Sequence, residues 1–181
     1  MIFEETKLKG AYVISLQLLT DNRGGFARTF CKNEFAKIGH TKDLVQLNHS
    51  YNTHKGTIRG MHFQLPPYQE IKLIRCIRGS VLDVIVDLRK ESPTFLQHIS
   101  VELSAENKKM IYVPENFAHG FQTLEDHCEL IYHHTEFYTP QADSGIRFDD
   151  PTLKIDWPLP PAMVSDKDKN YKLIDNHFKG F

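Results

Sequence analysis

Residues 56–79 read GTIRGMHFQLPPYQEIKLIRCIRG, and this segment decides the fold. Polar and apolar residues come close to alternating on both sides of a Pro-Pro loop, in 59–64 and again in 71–76. A period of two residues is the signature of a β-strand with two unlike faces. The polar face carries histidine, glutamine, lysine and arginine, where a surface strand needs only Glu, Thr and Lys. The pattern therefore predicts two strands whose polar face lines a cavity.

Strand-like segments follow one another outward from this pair, and they are separated by turn-rich sequence such as DNRGG at 21–25. One short helix is predicted at 32–38. The predicted strands are 12–19, 44–51, 59–64, 71–76, 81–88, 98–103, 110–113, 117–123 and 128–138. Closely spaced strands without intervening helices favour an antiparallel sandwich or barrel over a βαβ fold. From residue 140 we predict an irregular tail with a short helix that covers the barrel mouth.

Composition limits the possible partners. A chain of 181 residues suits a single domain, here 1–181, and a formal net charge of −1 gives no field that would attract nucleic acid or an anionic membrane. The N-terminus lacks the basic and apolar regions of an export signal, and no segment has the apolar length of a membrane span. Three widely spaced cysteines fit reduced thiols. We expect a cytoplasmic protein without nucleic-acid or membrane partners, in which any anion is held by a local Arg and Lys cluster.

Polar residues in strand-like contexts suggest two classes of chemistry. The chain has no Gly-rich phosphate loop, no H-E-x-x-H motif and no nucleophile elbow. It does have His62, Lys72, His119, Tyr132 and Asp168. Two histidines and a carboxylate can hold iron or manganese. Alternatively, a base, an opposing acid and a cation can move a proton next to a carbonyl group.

Each of these residues also has an ordinary structural interpretation. His62 fits a half-buried strand histidine, and Lys72 fits a side chain that extends along apolar surface to water. Tyr132 fits a strand tyrosine, and Asp168 fits a surface or helix-capping acid. The two histidines that follow Tyr132 alternate sides of their strand and receive no role.

A series of short motifs narrows the choice. The motifs are D-x-R-G-x-F at 21–26, Q-x-N-x-S at 46–50, R-G-M-H-F-Q at 59–64, K-L-I-R at 72–75, D-V-x-V-D-L-R at 83–89, S-P-T-F at 92–95, F-A-H-G-F at 117–121, Y-x-x-T at 132–135, Y-x-P at 138–140, D-D-P at 149–151, I-x-W-P at 155–158 and S-x-K-D at 165–168. In this order they resemble the dTDP-4-dehydrorhamnose 3,5-epimerase family over about residues 10–168. The resemblance implies an all-β, cupin-type antiparallel jelly roll with a few short helices, mainly near the C-terminus.

The resemblance also implies a mechanism. A 4-keto sugar bound through its nucleoside diphosphate loses a proton beside the ketone and regains one from the other face. His62 is then the base, and Asp168 holds its other ring nitrogen and stabilises the imidazolium. Tyr132 is the acid, and Lys72 lies by the C4 oxygen, where enolate charge develops. No cofactor or metal ion is implied.

Substrate-binding residues follow from the same resemblance. Arg59 and His119 are expected at the diphosphate, because guanidinium donors suit phosphate oxygens. Gln46 and Asn48 are expected to supply neutral hydrogen bonds. The resemblance also implies a homodimer with shared active sites, in which Arg23, Phe26 and the residue at position 28 reach across the interface to the partner's nucleotide. The full set of candidate binding residues is Arg23, Phe26, Arg28, Gln46, Asn48, Arg59, Glu70, His119 and Tyr138.

Two residues depart from the family pattern. Arg28 stands where dTDP-sugar enzymes of the family usually have glutamate, which accepts a hydrogen bond from N3–H of thymine. Arginine can only donate, so an Arg28 that faces the base would favour the acceptors of cytosine. Glu70 stands where glutamine often precedes the family lysine, and it can form a salt bridge with Lys72 or an arginine, or contact the sugar. The nucleotide is therefore expected to be dTDP or CDP.

Two alternatives remain at the level of sequence. The first is a metal-dependent cupin with His62, His119 and Glu70 as ligands, although the usual His-x-His is here His62-Phe63-Gln64. The second is a sugar-nucleotide binding module without catalytic activity. Binding alone does not require an acid that faces a base.

Overall fold

The computed structural model describes residues 1–181 and consists mainly of β-strands. The strands are β1 (Ile2–Glu5), β2 (Tyr12–Ser15), β3 (Leu19–Asp21), β4 (Gly24–Phe26), β5 (Gln46–Asn52), β6 (Thr57–Gln64), β7 (Lys72–Arg78), β8 (Ser80–Asp87), β9 (His98–Ser104), β10 (Lys109–Val113), β11 (Phe117–Thr123), β12 (Cys128–His134), β13 (Asp143–Gly145) and β14 (Met163–Val164). The helices are α1 (Lys32–Phe35), continued by a 3₁₀ turn (Ala36–Ile38), and α2 (Asp166–Lys169). The all-β prediction is confirmed.

The strands form two six-stranded sheets and a separate two-stranded hairpin. Sheet I has the order β1-β2-β10-β7-β12-β5, and sheet II has the order β13-β6-β11-β8-β9 with β14 beside β6. Every pairing is antiparallel except that of β14 with β6. Strands β3 and β4 pair with each other and form the hairpin, which belongs to neither sheet. This arrangement is the antiparallel jelly roll that the motif order implies.

Two apolar layers hold the sheets in place. Between the sheets, Val81 and Ile85 of β8 pack with residues of sheet I such as Ile74 and Leu130. Val84, Val86 and Leu88 lie in a second cluster that includes Leu153 and is covered by Ile155 and Trp157. Burying apolar side chains on both faces of β8 contributes about 1.5–3 kcal/mol for each large side chain. Sheet II is therefore buried between sheet I and the C-terminal segment.

The C-terminal segment lies on two sides of sheet II, because residues between 163 and 168 line a cavity beside β6, whereas most of the segment's apolar residues lie elsewhere. Its apolar residues cover the outer face of sheet II, because Val84 and Val86 of β8 present an apolar surface there. Helix α2 ends up beside β6. None of the helices is long and apolar enough to cross a membrane.

Several predicted boundaries are wrong. The strand predicted at 12–19 ends at Ser15, and the turn predicted at 21–25 narrows to two residues between β3 and β4. Strand β12 ends at His134 rather than at 138, and the next N–H, of Thr135, donates to the carbonyl of Ile71. Strands β1, β13 and β14 are absent from the prediction because short, partly exposed strands carry little hydrophobic periodicity. The three cysteines are free.

Candidate active site

A bulge in β6 brings Arg59 and His62 to the same face. His62 lies opposite His119 of β11, whereas Arg59 lies opposite Phe121, so β6 has one residue more than β11 between the two pairs. Gly60 permits this, because its φ is +133° and a Cβ there would lie 2.5 Å from the β11 backbone. Strict alternation would place residues three apart on opposite faces. The bulge re-aims both side chains into one cavity, a common use of bulges near active sites.

His62 is oriented by a carboxylate from the C-terminal segment. Its Nε2 lies 2.7 Å from Oδ1 of Asp168, whose Oδ2 accepts a 3.1 Å hydrogen bond from the N–H of Gly60. Ser165 caps α2, its Oγ accepting from the N–H of Asp168. Asp168 is only 3% exposed. Because an ionised carboxylate can only accept, Nε2 carries the proton and Nδ1 is the basic nitrogen.

The charge state of Asp168 supports this assignment. Burial pushes the pKa of Asp168 up, but the hydrogen bond from His62, with those from Gly60 and Ser165, leaves the pKa below its ordinary value. The carboxylate is therefore ionised at neutral pH. An ionised partner stabilises the imidazolium that forms when Nδ1 takes a proton.

Tyr132 lies on the opposite wall, in sheet I. Its hydroxyl lies 3.0 Å from Oγ of Ser50 on the neighbouring strand β5. Its ring meets that of His119 from sheet II edge to face, with the centroids 6.2 Å apart. Burial raises the pKa of Tyr132, so the hydroxyl keeps its proton at neutral pH and can act as an acid. The predicted acid and the predicted base thus come from different sheets.

The cavity between these walls has a volume of about 260 Å³. Two further cavities adjoin it, of about 490 and 180 Å³. His62 is the one residue that lines all three cavities. Arg59 lines the two larger ones, of about 490 and 260 Å³. Residues that line the first cavity include Asn48, Arg59, His62, Lys72, His119 and Tyr132. A sugar ring therefore has space at His62, and a longer substituent has space beside it.

Lys72 is a buried side chain next to His62. Its Nζ lies 3.2 Å from Oε1 of Glu70 and 3.5 Å from the carbonyl oxygen of His62. Glu70 also lies 2.6 Å, through Oε2, from Nδ1 of His134. Burial pushes the pKa of Glu70 up, but His134 and Lys72 together hold it below its ordinary value. The salt bridge suggested for Glu70 and Lys72 is thus present.

His119 forms a second buried pair with a carboxylate. Its Nε2 lies 2.8 Å from Oδ2 of Asp83, and both side chains are buried. Burial lowers the pKa of His119, so that a neutral ring faces the cavity at pH 7. Asp83 belongs to the D-V-x-V motif of β8, but alternation alone did not mark it as a partner of His119.

The remaining predicted binding residues fall into two groups. Arg59 donates from Nε to Oδ1 of Asn52 at 2.7 Å and from Nη2 to the carbonyl oxygen of Tyr51 at 3.5 Å, which leaves its other terminal N–H groups for a ligand. Gln46, Asn48 and Tyr138 line the 180 Å³ cavity, and the Tyr138 hydroxyl donates to Asp143. These residues therefore lie around the same space as His62.

Arg23, Phe26 and Arg28 do not line these cavities within the protomer. Arg23 pairs with Asp21 on the exposed hairpin, and Phe26 is 72% exposed. Arg28 pairs with Glu34 at 2.8 Å. Their contact with the nucleotide of a partner subunit stays a prediction.

The three residues of the metal hypothesis do not form a ligand group. His62 and His119 each direct Nε2 to their own carboxylate, and Glu70 contacts Lys72 and His134. No three His, Cys, Asp or Glu side chains lie close enough together to hold a metal ion.

Comparisons with known proteins agree on one class. The family model described as dTDP-4-dehydrorhamnose 3,5-epimerase matches residues 5–176. The enzyme of that name from Methanothermobacter thermautotrophicus is 45% identical over 173 residues, covering 94% of this chain and 92% of the relative. The Bacillus anthracis dTDP-4-dehydrorhamnose 3,5-epimerase, solved with TDP and pyrophosphate bound, has a TM-score of 0.93 and 42% identity, covering 96% of this chain and 99% of that one.

A second solved structure carries a sugar nucleotide. The dTDP-6-deoxy-D-glucose-3,5-epimerase from Legionella pneumophila, in complex with dTDP-4-keto-L-rhamnose, has a TM-score of 0.90 and 37% identity, covering 95% of this chain and 92% of that one. The fold and these comparisons define a carbohydrate epimerase, an isomerase that acts on nucleotide sugars in deoxysugar biosynthesis. The chain belongs to the dTDP-4-dehydrorhamnose 3,5-epimerase family.

Proposed function

We propose that the protein epimerises a dTDP-linked 4-keto-6-deoxyhexose at C3, C5 or both, through a 4-enolate. The observation that carries this proposal is the placement of His62 and Tyr132 on opposite walls of one cavity, which Lys72 also lines. A sugar ring held between the walls presents one face to a base and the other to an acid. Inversion at carbon needs both.

The reaction begins at His62. Its Nδ1 removes the proton from a carbon beside the ketone, while Asp168 stabilises the resulting imidazolium. The C–H electron pair becomes the enolate, whose negative charge lies on the C4 oxygen. Lys72 supports this step because an ammonium held in a dry site stabilises charge as it develops. Tyr132 then delivers its hydroxyl proton to the opposite face of the same carbon.

The nucleotide is proposed to be dTDP. The Bacillus anthracis and Legionella pneumophila proteins were solved with TDP and with a dTDP-sugar. Glu34 also engages Arg28, the residue that would have favoured cytosine if it faced the base. The terminal nitrogens of Arg59 are proposed to bind the diphosphate, where guanidinium donors match phosphate oxygens.

A homodimer with shared active sites is also proposed, with the β3–β4 hairpin as part of the subunit interface. Leu19 and Phe26 are 73% and 72% exposed, although both are large apolar side chains. Exposed apolar groups of this kind commonly mark protein interfaces. Arg23 and Phe26 are proposed to reach the partner's nucleotide. A cytoplasmic location is proposed because the three cysteines are free.

Proton exchange tests the proposed reaction. The protein is incubated in heavy water with dTDP- and CDP-4-keto-6-deoxyglucose, and proton NMR follows the C3 and C5 signals. We expect loss of one or both signals with the dTDP sugar, and formation of an inverted product. Binding without exchange would replace the proposal with a binding module. Exchange abolished by a chelator, with stoichiometric bound metal, would support the metal-dependent alternative.

Nucleotide choice is tested separately by the affinities for dTDP and CDP. We expect a preference for dTDP in the unmodified protein and in the Arg28→Glu variant. A preference for CDP that Arg28→Glu reverses would contradict the assignment of dTDP and place Arg28 at the base. Sedimentation of the same samples measures the subunit number, and a monomer at micromolar concentration would contradict the shared site.

A further inference from the structure

His134 occupies a position in the cavity that the proposed reaction does not explain. It is buried, lines both smaller cavities, and lies two residues after Tyr132 on the same face of β12. It pairs in register with Gln46 of β5 on one side and with Lys72 of β7 on the other. Residues paired in this way point to the same face of a sheet. The three side chains therefore form a row across sheet I.

Hydrogen bonds connect the three side chains of this row through Asn48 and Glu70. From Gln46 to Glu70 every donor points in the same direction. Nε2 of Gln46 donates to Oδ1 of Asn48 at 3.2 Å, and Nδ2 of Asn48 lies 3.2 Å from Nε2 of His134. Nδ1 of His134 lies 2.6 Å from Glu70, which also pairs with Lys72 at 3.2 Å. An amide N–H₂ can only donate, and an ionised carboxylate can only accept. His134 is thus a neutral ring with its proton on Nδ1.

We propose that this relay, Gln46 to Asn48 to His134 to Glu70, holds the ammonium of Lys72 in its working position, with His134 as a positioning residue. The inference rests on the proposed function, since the working position is the one beside the C4 oxygen. His134 engages Oε2 of Glu70, so that only Oε1 faces the lysine. Without this contact, the carboxylate is free to turn both oxygens to Lys72 and draw the ammonium away from the enolate.

Asn48 gives the relay a link to substrate. It lines the same cavity as His62 and Tyr132, and its side chain is more exposed than that of His134. A sugar hydroxyl or phosphate oxygen that contacts Asn48 therefore meets a group whose orientation Gln46 and His134 fix. Hydrogen-bond networks of this kind orient each member through the next. The relay thereby connects the ligand-facing edge of sheet I with the catalytic cation.

Variants at position 134 test the relay through kcat and KM. His134→Leu keeps the bulk but removes both nitrogens, and we expect kcat to fall about tenfold with KM changed less than about threefold. His134→Asn puts an amide N–H₂ near the place of Nδ1, and it is expected to recover kcat to within about threefold of the unmodified enzyme. The matched control is His133→Leu, since His133 lies next to it on β12 and lines none of these cavities.

A double-mutant cycle separates positioning from general damage. If His134 acts through Glu70, His134→Leu has little further effect on kcat in a Glu70→Gln background. An equal fall in kcat in both backgrounds would overturn the proposal. So would an Asn variant as slow as the Leu variant, or a Leu variant with unchanged kcat.

The tautomer of His134 tests the relay without any variant or turnover. Nitrogen-15 NMR of the unmodified protein at pH 8 is expected to find His134 protonated on Nδ1 and unprotonated on Nε2. A proton on Nε2 would reverse the contact with Asn48 and overturn the relay. If the unmodified enzyme exchanges no sugar proton, the proposed function fails, and the tautomer still decides whether the relay exists.

Discussion

The two walls of the cavity are built in different ways. On sheet I, Tyr132 and its support come from neighbouring strands in regular register, with Ser50 on β5 and Lys72 on β7. On sheet II, His62 depends on a bulge in β6 and on Asp168, which lies 106 residues further along the chain. Tyr132, the proposed acid, is thus held by local sheet geometry, whereas His62, the proposed base, is held by docking of the C-terminal segment.

This difference predicts how each wall responds to change. Helix α2 has only four residues and is fixed mainly by its Ser165 cap and its contact with β6. Such short elements open more easily than the middle of a sheet. Damage at the C-terminal segment should therefore reach the base without reaching the acid, and the predictions below test that separation.

Loss of the base should have the largest effect. His62→Ala removes the group that takes the carbon-bound proton, and we expect exchange and epimerisation to fall together by about 10³-fold or more. The rates are measured by proton NMR in heavy water. The control is His98→Ala, a histidine on β9 that lines none of the three cavities. Exchange that persists in His62→Ala would assign the base to another residue.

Loss of the Asp168 carboxylate should have the second largest effect. Asp168→Asn keeps an oxygen for the N–H of Gly60 but no longer fixes the tautomer of His62 or stabilises its imidazolium. We expect kcat to fall at least about 100-fold, as in other histidine–carboxylate pairs. Asp166→Asn, on the same helix but exposed, should leave kcat unchanged. Equal effects of the two substitutions would mean that α2 matters only as packing.

A smaller effect is expected at the support of the acid. Ser50→Ala removes the hydroxyl that lies 3.0 Å from the Tyr132 oxygen. One neutral hydrogen bond contributes about 0.5–1.5 kcal/mol, so epimerisation should slow by about threefold to tenfold. Exchange catalysed by His62 should change less than product formation. If both rates fall equally, the two walls do not act separately.

The smallest effect concerns stability and pH. Since the pKa of Asp168 is lower in the folded chain than in the unfolded one, its stabilisation is complete above the unfolded pKa, about 3.9, and is lost as pH falls through the folded pKa. Asp168→Asn should therefore lower the free energy of unfolding by about 1–2 kcal/mol at pH 7, and the difference should narrow below pH 4. Urea denaturation of the unmodified protein and the variant, at pH 7 and below pH 4, measures this difference in the free energy of unfolding. A difference that grows in acid would contradict the sign.

The sequence predicted the two walls unequally. Alternation in 59–64 and 71–76 predicted polar faces on β6 and β7, and both line the cavity. Strict alternation would put Arg59 and His62 on opposite faces, and the bulge that brings them together leaves no periodic signal other than the glycine at position 60. The pairing of Asp168 with His62 followed only from the resemblance, since a carboxylate in an irregular tail has no local pattern that indicates a distant histidine.

Other features depended on partners that sequence separation conceals. His134 received no role, although its place two residues after Tyr132 puts it on the same strand face. Its meaning comes from Glu70 and Asn48, which reach it only when β7, β12 and β5 pair. The packing of the tail's apolar residues on the outer face of sheet II was not predicted, because that face could be recognised only once both faces of β8 were seen to be buried.

The most direct test of the account is to separate exchange from inversion with Tyr132→Phe in heavy water. If His62 and Tyr132 act from opposite faces, His62 can still remove a proton and return a deuteron to the same face. We then expect the variant to exchange the proton of recovered substrate within about tenfold of the unmodified rate, while inverted product falls at least about 100-fold. Inverted product formed at an undiminished rate, or an equal loss of exchange and inversion, would contradict the two-wall mechanism.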